Sequence, residues 1–318
     1  MTILRSMRNF SAMNIVASIL LFVTAIAAAI IANSPLAPAY QEFLSHELHF
    51  RIGSFNLLSH GGQNLTMIEF INDGLMTVFF LLVGLEIKRE LLVGELSSFR
   101  KAVLPFIAAC GGMLIPVLIY SFICTPYTPE GQGLAIPMAT DIAFSLGVLS
   151  LLGKRVPLSL KIFLTAFAVV DDIGGILVIA VFYSSHVAYG YLLVAALLFV
   201  LLYFIGKHGA TNKLFFLIIG VIIWYLFLQS GIHSTIAGVL FAFIIPAKPQ
   251  LHVGKYIERI RRIINTFPTM EGNSIVLTNE QIAKLKQVES ASDRVISPLQ
   301  SLEDSFINSI LLFYSNFY

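Results

Sequence analysis

Charge is what this sequence has least of. Of its 318 residues only 12% are charged, 57% are hydrophobic, and the mean hydropathy is +0.84. A soluble domain carries about 25% charged residues, so this composition excludes a soluble globular enzyme and a disordered chain. The formal net charge of +2 argues against a nucleic-acid-binding protein. The remaining class is a membrane protein with several spans.

Cysteine is also scarce, since the chain contains only Cys110 and Cys124. If the apolar stretch around them is helical, the two residues are roughly 20 Å apart. A disulfide requires Cα atoms within about 7 Å, so these two thiols cannot pair with each other. The sequence also contains no spacing typical of a zinc or redox site.

Long apolar runs are abundant, and a helix needs about 20 apolar residues to cross a bilayer core. The run from Ile15 to Ala32 is too long for the apolar part of a cleaved signal peptide, so we interpret it as the first span. The sequence predicts an all-α polytopic membrane protein of about eight transmembrane helices, with an incomplete ninth at 307–318. The predicted spans are 12–32, 67–85, 102–123, 133–152, 160–183, 187–205, 213–229 and 230–247.

The basic residues give these spans an orientation. With a cytoplasmic N-terminus, all 20 lysine and arginine residues except Arg51 fall on the cytoplasmic side. This asymmetry is what the positive-inside rule predicts. The chain then divides into a transmembrane domain at 1–247, a cytoplasmic polar loop at 248–305 and a short apolar tail at 306–318.

Two segments outside the predicted spans carry a pattern. Apolar residues alternate on both sides of Gly53, which predicts either a tight hairpin within His49–Leu58 or an irregular loop. In the last loop, the basic run Lys255–Arg262 could lie on anionic headgroups, although a solvated cytoplasmic loop is the favoured interpretation.

Most acidic residues lie in loops or near span ends, but three lie deep inside predicted spans, where an ionisable side chain is costly and marks a candidate functional site. Asp141 is in span four, and Asp171 and Asp172 are adjacent in span five. The alternative is a structural role, in which these groups pair with polar groups of neighbouring helices. No lysine lies deep in any predicted span, which argues against a proton pump with a lysine-bound chromophore.

Span four also has the features of a broken helix. Pro137 removes a backbone hydrogen bond, and Thr140 can satisfy groups that the break frees. Broken helices at membrane depth line cavities and bind ions. Carboxylate, hydroxyl and carbonyl oxygens suit a hard cation such as Na⁺. Because adjacent carboxylates repel each other when both are ionised, the site would hold either protons or a cation, and this competition would couple the two fluxes.

Other candidates are weaker on the sequence alone. Glu86 and Glu90 lie among basic residues at the inner end of span two, where a solvated helix end is the favoured interpretation. His233 is either a pH-responsive group or a hydrogen-bonded histidine at a helix end, and the second is favoured. The single tryptophan, Trp224, is interpreted as a packing or lipid-facing residue.

Several motifs resemble those of the NhaA-type Na⁺/H⁺ antiporters. The resemblance runs almost continuously from about residue 10 to residue 248. The motifs that carry it are FFLLVGLEIKRE at 79–90, TDIAFSLG at 140–147, GKRVP at 153–157, AVVDDIGG at 168–175 and SGIHSTIAG at 230–238.

The resemblance implies a secondary transporter without cofactor, not an enzyme, that exchanges Na⁺ or Li⁺ for protons across the bacterial inner membrane in pH and sodium homeostasis. It implies that Asp171 and Asp172 bind the cation and that Thr140 and Asp141 mark the crossing point of two broken helices. It implies a homodimer contact through the segment 49–58. It also implies roles in transport or pH response for Asp73, Glu86, Glu90, His233 and Glu303.

The C-terminal part departs from the family. A family member has twelve spans in inverted repeats, with a second broken helix and an intramembrane lysine after the ninth span begins. Here the likeness ends after Asp304, so the sequence predicts a partial NhaA-like fold. An alternative interpretation is a C-terminally truncated or diverged membrane protein that is inactive in transport.

Overall fold

A computed structural model describes residues 19–53, 55–60, 63–124, 155–182, 187–208, 213–247, 253–267 and 278–303, together with 133, 136, 145, 149, 152 and 305. Most of these residues are helical. The helices are α1 (Ile19–Ala32), α2 (Ala37–Ser45), α3 (Met67–Val93), α4 (Phe99–Ile123), α5 (Leu158–Phe182), α6 (Tyr189–Lys207), α7 (Lys213–Ser230), α8 (Thr235–Ile244), α9 (Val253–Asn265) and α10 (Asn279–Val295). Four short strands are β1 (Arg51–Ile52), β2 (Phe55–Asn56), β3 (Ser59–His60) and β4 (Gln63–Asn64).

The long apolar helices make the chain a helical membrane protein that crosses the bilayer more than once. Within the described ranges, α3, α4 and α6 are long and apolar enough to span, and α1 with α2 forms a fourth candidate that is bent by 110°. The predicted span at 230–247 differs from the structure. A turn with Gly231 at φ 79° separates α7 from α8. Helix α8 has only 10 residues, which extend about 15 Å.

Helix α3 begins with a capping box and runs past the predicted inner end of span two. The Thr66 hydroxyl accepts a hydrogen bond from the backbone N–H of Glu69, and the Glu69 carboxylate accepts one from the N–H of Thr66. A π-helical segment, Phe70–Leu75, follows immediately. The α-helical part then continues to Val93 rather than ending at residue 85, so the charged motif after Gly84 belongs to the same rigid helix.

Two glycines allow α3 and α8 to pack with their backbones in close approach. A Cβ atom added at Gly84 would lie 2.8 Å from the Cβ atom of Ala242, and one added at Gly238 would overlap the carbonyl oxygen of Thr77. Small residues at such crossings bring helices together in membranes. Around this pair lies the main buried core, which includes Leu81, Leu85, Leu202, Phe216, Ile223, Phe241 and Ile245.

The segment between α2 and α3 forms two small hairpins. Strands β1 and β2 are antiparallel with Ile52 opposite Phe55, and Gly53 takes φ 65° in the turn. The hairpin interpretation of this segment is therefore confirmed, and the irregular loop is excluded. Strands β3 and β4 form a second hairpin that the sequence pattern did not indicate.

Helices α9 and α10 of the polar segment at 248–305 pack against each other. The C-terminal end of this segment lies beside its N-terminal end, because the N–H of Leu299 donates to the carbonyl oxygen of Pro246 at 3.2 Å. Leu299 and Leu302 are each 2% exposed and belong to the main core. The sequence pattern did not indicate these helices or the attachment of the segment near the C-terminal end of α8.

Candidate functional site

The acidic pair lies near the middle of α5. Asp171 and Asp172 are the fourteenth and fifteenth of its 25 residues, about 15–20 Å from the helix ends. Asp171 is 4% exposed, and the Oδ2 atom of the half-buried Asp172 is itself buried. Two carboxylates are thus enclosed by protein at mid-helix, where an ionised group needs a specific reason to be kept.

Two neighbouring helices enclose this part of α5. Val169, which is fully buried, packs with Val83 and Ile87 of α3. On the α4 side, a side chain at Gly174 would collide with Met113. Because successive helical residues point about 100° apart, the two aspartates face different neighbours. The acidic pair therefore sits within the contact region of α3, α4 and α5.

The other two predicted ion-binding residues, Thr140 and Asp141, lie outside the described residues, as does Pro137. The predicted break in span four and its crossing point stay predictions. The structure consequently describes Asp171 and Asp172 but not the partners that the sequence assigns to them.

Three predicted acidic residues meet at one arginine near the C-terminal end of α3. The Arg89 guanidinium lies 2.5 Å from the Glu303 carboxylate, 3.7 Å from Glu86 and 4.0 Å from Glu90. The side chains of Glu303, Glu90 and Glu86 are 15%, 17% and 32% exposed, so this group, the Arg89 cluster, is partly withdrawn from water. These carboxylates do not form the freely solvated helix end that the sequence favours.

Lys88 has a different role from its neighbour Arg89. Its ammonium group donates to the carbonyl oxygens of Phe243, at 2.6 Å, and of Ile245 and Ala242. These are the carbonyls at the C-terminal end of α8, which have no partner within the helix. A cation there also complements the negative end of the helix dipole. Sequence reasoning missed this contact, because nothing local distinguishes Lys88 from other basic residues at a span end.

A second polar group, the Asp73 cluster, lies in the π-helical part of α3. The Asp73 carbonyl oxygen accepts hydrogen bonds from the Thr77 hydroxyl and the Trp224 indole, both at 2.6 Å. The Ser234 hydroxyl lies 2.8 Å from both this carbonyl oxygen and the Asp73 carboxylate oxygen Oδ1. Asp73 therefore links α3 to α7 and to the start of α8.

Two of these hydrogen-bond partners of Asp73 were not identified from the sequence as functional residues. Ser234 is 1% exposed and sits beside His233, the residue that the motif highlights. Trp224 was interpreted only as a packing or lipid-facing residue, yet its N–H bonds Asp73 across 151 positions of the chain. His233 directly precedes Ser234 in the chain, and its backbone carbonyl oxygen accepts a hydrogen bond from the N–H of Ile236.

The Asp73 and Arg89 clusters occupy opposite ends of the α3–α8 pair. From residue 73 to residue 89 a helix rises about 24 Å, most of the thickness of a bilayer core. The close packing at Gly84 and Gly238 lies between them. Helix α8 contacts the Asp73 cluster through Ser234 and contacts Lys88, the neighbour of Arg89, through its C-terminal carbonyls.

Comparison of the sequence with known proteins identifies its family. The sequence pattern of the family described as Na⁺/H⁺ antiporter 1 matches residues 8–312. The Na⁺/H⁺ antiporter NhaA of Bacteroides fragilis is 83% identical over 310 residues, which cover 98% of this chain and 71% of that protein. The NhaA proteins of Bacteroides thetaiotaomicron and Parabacteroides distasonis are 81% and 50% identical, each over 98% of this chain and 71% and 70% of their own lengths.

Proposed function

The chain belongs to the Na⁺/H⁺ antiporter 1 family, the NhaA antiporters, and on that premise we propose how its residues exchange sodium ions for protons. A member of this family is a transporter rather than an enzyme. The observation that carries the proposal is the acidic pair Asp171 and Asp172, enclosed at mid-helix where α3, α4 and α5 meet. The carboxylate oxygens of this pair can act both as ligands of a cation and as acceptors of protons.

In the proposed cycle, the pair binds either a cation or protons. Na⁺ or Li⁺ binding on one side of the membrane expels protons from Asp171 and Asp172, and protonation on the other side expels the cation. Two adjacent carboxylates favour this competition because their mutual repulsion is relieved by either ligand. Thr140 and Asp141 would complete the site with a hydroxyl and a third carboxylate. Alternating access around this point then exchanges the two ions without a cofactor.

We place this exchange in the bacterial inner membrane, with the N-terminus in the cytoplasm and a role in pH and sodium homeostasis. The concentration of basic residues on one side of the predicted spans supports this orientation. In this orientation the Arg89 cluster lies at the cytoplasmic end of α3 and the Asp73 cluster at the outer end. The chain then has a membrane domain at 1–247, a cytoplasmic segment at 248–305 and an apolar tail at 306–318.

We assign the pH response of transport to residues in these two clusters. Glu86, Glu90 and Glu303 share one cation, so the charge of each depends on the others. Asp73 holds the start of α8 through Ser234, directly after His233. A change in protonation at either end would change the contacts of α3, whose Val83 and Ile87 pack against Val169 of α5, two residues before Asp171.

A homodimer through the hairpin at 49–58 is a further part of the proposal. The β1–β2 hairpin supports it, because a two-stranded ribbon is marginal alone and gains stability by pairing with another chain. The alternative of a transport-inactive membrane protein has less support, since identity of 83% with a curated antiporter extends over 98% of the chain.

Everted membrane vesicles test the exchange directly. Vesicles that carry the chain are acidified inside by respiration, and Na⁺ or Li⁺ is then added while a fluorescent dye reports the internal pH. We expect prompt alkalinisation by either cation. Absence of this signal in vesicles that contain well-folded protein would exclude the proposed activity.

Substitutions then test the site. Asp171→Asn and Asp172→Asn should each abolish the cation-driven signal, because a neutral amide cannot exchange a proton for a cation. The matched control is Glu280→Gln, which removes an exposed carboxylate from α10 and should leave exchange unchanged. Full activity in both aspartate variants would remove Asp171 and Asp172 from the mechanism.

A further inference from the structure

Helix α9 is unlike the spanning helices in composition. Its 13 residues include four basic side chains, Lys255, Arg259, Arg261 and Arg262, and one acidic side chain, Glu258. Four positive charges less one negative charge give the helix a net charge of +3. Isoleucines recur at 257, 260, 263 and 264, and this spacing produces one apolar stripe along a polar, basic helix.

Only one edge of the apolar stripe is buried in the protein. Ile263 is 6% exposed, and α9 packs against α10. Ile257 and Ile264 are 52% and 64% exposed, so the other edge presents two large apolar side chains outward. On a helical projection these two isoleucines lie within about 20° of each other and roughly 100–120° from Ile263.

One basic side chain borders the exposed edge. Arg261 lies about 40–60° around the helix from Ile257 and Ile264, next to them on the surface. A long basic side chain can place its charge at headgroup level while its alkyl stem covers apolar surface. An interfacial membrane helix combines an apolar edge with a polar, basic remainder in this way.

The position of α9 in the chain keeps it near the membrane. It begins at Val253, seven residues after Pro246 at the inner end of α8, and seven residues span at most about 25 Å. The return of the segment is fixed by the hydrogen bond from Leu299 to Pro246 and by the Arg89–Glu303 ion pair. Both ends of the segment between Pro246 and Glu303 therefore lie at the cytoplasmic ends of the spans.

We propose that α9 lies on the cytoplasmic leaflet of the membrane that the chain spans, with Ile257 and Ile264 inserted at the boundary between headgroups and acyl chains. Arg261, beside this edge, contacts anionic lipid headgroups, and the net charge of +3 attracts the helix to a negatively charged surface. This contact holds the segment that carries Glu303 at the membrane. The charge of the inner-leaflet lipids would therefore affect the position of Glu303 in the Arg89 cluster. The proposal is independent of the ion-binding roles of Asp171 and Asp172.

The test uses the full chain in lipid nanodiscs of phosphatidylcholine, with or without phosphatidylglycerol. Cys110 and Cys124 are replaced by serine, and an environment-sensitive fluorophore is attached to Ile257→Cys or Ile264→Cys. The matched control is Glu258→Cys, an exposed position on the polar side of the same helix. Lipids that carry a nitroxide quencher near the headgroup report contact with the membrane.

In nanodiscs with phosphatidylglycerol, the labels at 257 and 264 should be blue-shifted and quenched, and the label at 258 should not. Arg261→Gln should weaken the partition of α9 into the surface by about five-fold, because a basic residue near the surface contributes about that much. Arg262→Gln should have a smaller effect, because Arg262 lies about 140–160° around the helix from Ile257 and Ile264. High salt or phosphatidylcholine alone should reverse most of the quenching.

Three results would overturn the proposal. Equal quenching at all three positions would show that the apolar edge has no special contact with lipid. A blue shift at 257 without lipid quenching would show burial against protein, such as a second copy of the chain. Quenching that is unaffected by lipid charge and by the arginine substitutions would exclude recognition of anionic headgroups.

Discussion

The Arg89 guanidinium and the Glu303 carboxylate lie 2.5 Å apart, although 214 positions separate the two residues in the chain. Arg89 belongs to α3, and Glu303 belongs to the helical residues 298–303 that follow α10. Their ion pair therefore ties the C-terminal end of the polar segment to α3, whose Val83 and Ile87 pack against Val169 of α5. Glu86 and Glu90 lie near the same guanidinium, so its removal affects three carboxylates together.

Substitution of Arg89 should change the pH profile of exchange. In Arg89→Gln, the carboxylates of Glu86, Glu90 and Glu303 lose the cation that they share, and the ion pair that ties Glu303 to α3 is lost. We expect the pH midpoint of exchange to shift measurably from that of the unsubstituted chain. The pH profile of the vesicle signal measures the midpoint.

The control for this shift is Arg100→Gln, which changes an exposed arginine in the first turn of α4. It should keep the midpoint of the unsubstituted chain. An unchanged midpoint in Arg89→Gln, at normal expression, would show that the Arg89 cluster does not set the pH dependence.

Lys88 stabilises the fold through the end of α8 rather than through a carboxylate. Lys88→Met keeps much of the side-chain bulk but leaves the carbonyls of Ala242, Phe243 and Ile245 without their charged donor. Hydrogen bonds to charged groups contribute about 1.5–3 kcal/mol, so we expect a loss of about 2 kcal/mol in the free energy of unfolding. Denaturant unfolding in detergent measures the loss. Lys286→Met, at an exposed position of α10, should change the value little.

Local sequence patterns predicted the elements whose cause is local. Apolar run length placed most of the described helices, and a glycine between alternating residues placed the turn at Gly53. The charge-poor background made Asp171 and Asp172 stand out, and the structure places them in a buried helix segment. The apolar stripe of α9 could also have been found, since its spacing is visible in the sequence.

The remaining features depend on distant partners and leave no local trace. Nothing beside Arg89 in the sequence identifies Glu303 as its partner, and nothing beside Lys88 identifies the carbonyls of α8. The π-helical segment and the short length of α8 were likewise not evident, because their polar groups are satisfied by side chains from other helices. Sequence alone therefore indicates candidate groups but not their pairings.

The close approach of α3 and α8 should tolerate no side chain at Gly238. In Gly238→Ala, the new methyl group meets the carbonyl oxygen of Thr77 and the backbone nitrogen of Leu81, neither of which can rotate away. Overpacking of this kind costs about 1–3 kcal/mol. We expect less folded protein and a lower melting temperature.

Gly111→Ala provides the matched control, because nothing lies within 4 Å of a Cβ atom at Gly111 in α4. Alanine is favoured over glycine inside a helix by about 1 kcal/mol, so this variant should be neutral or slightly more stable. Equal behaviour of the two variants would contradict the close packing of α3 and α8.

The last prediction concerns the Asp73 carbonyl, which lies in the π-helical turn. A carbonyl oxygen has two lone pairs, and here the Thr77 hydroxyl and the Trp224 indole occupy them. The single hydroxyl hydrogen of Ser234 is then available for the Asp73 carboxylate. The bonds from Trp224 and Ser234 act together, because they hold α7 and α8 against the same residue of α3.

Trp224→Phe keeps an aromatic ring but removes the donor, and Ser234→Ala removes the hydroxyl. We expect each to lower the free energy of unfolding by about 1 kcal/mol, the usual net contribution of one hydrogen bond. Their double variant should differ from the sum by at least about 0.5 kcal/mol, because both partners share Asp73. Amide hydrogen exchange should accelerate at 70–78 in all three variants.

Ser121→Ala is the control for the loss of a hydroxyl from a helix elsewhere in the protein. The Ser121 hydroxyl donates to the carbonyl oxygen of Val117 in the preceding turn of the same exposed helix. The substitution should leave exchange at 70–78 unchanged. Strict additivity of the Trp224 and Ser234 substitutions would mean that α7 and α8 hold Asp73 independently. Coupling between them would mean instead that the π-helical turn is maintained only while both helices are in place, so a displacement of α8 would reach α3 through Asp73.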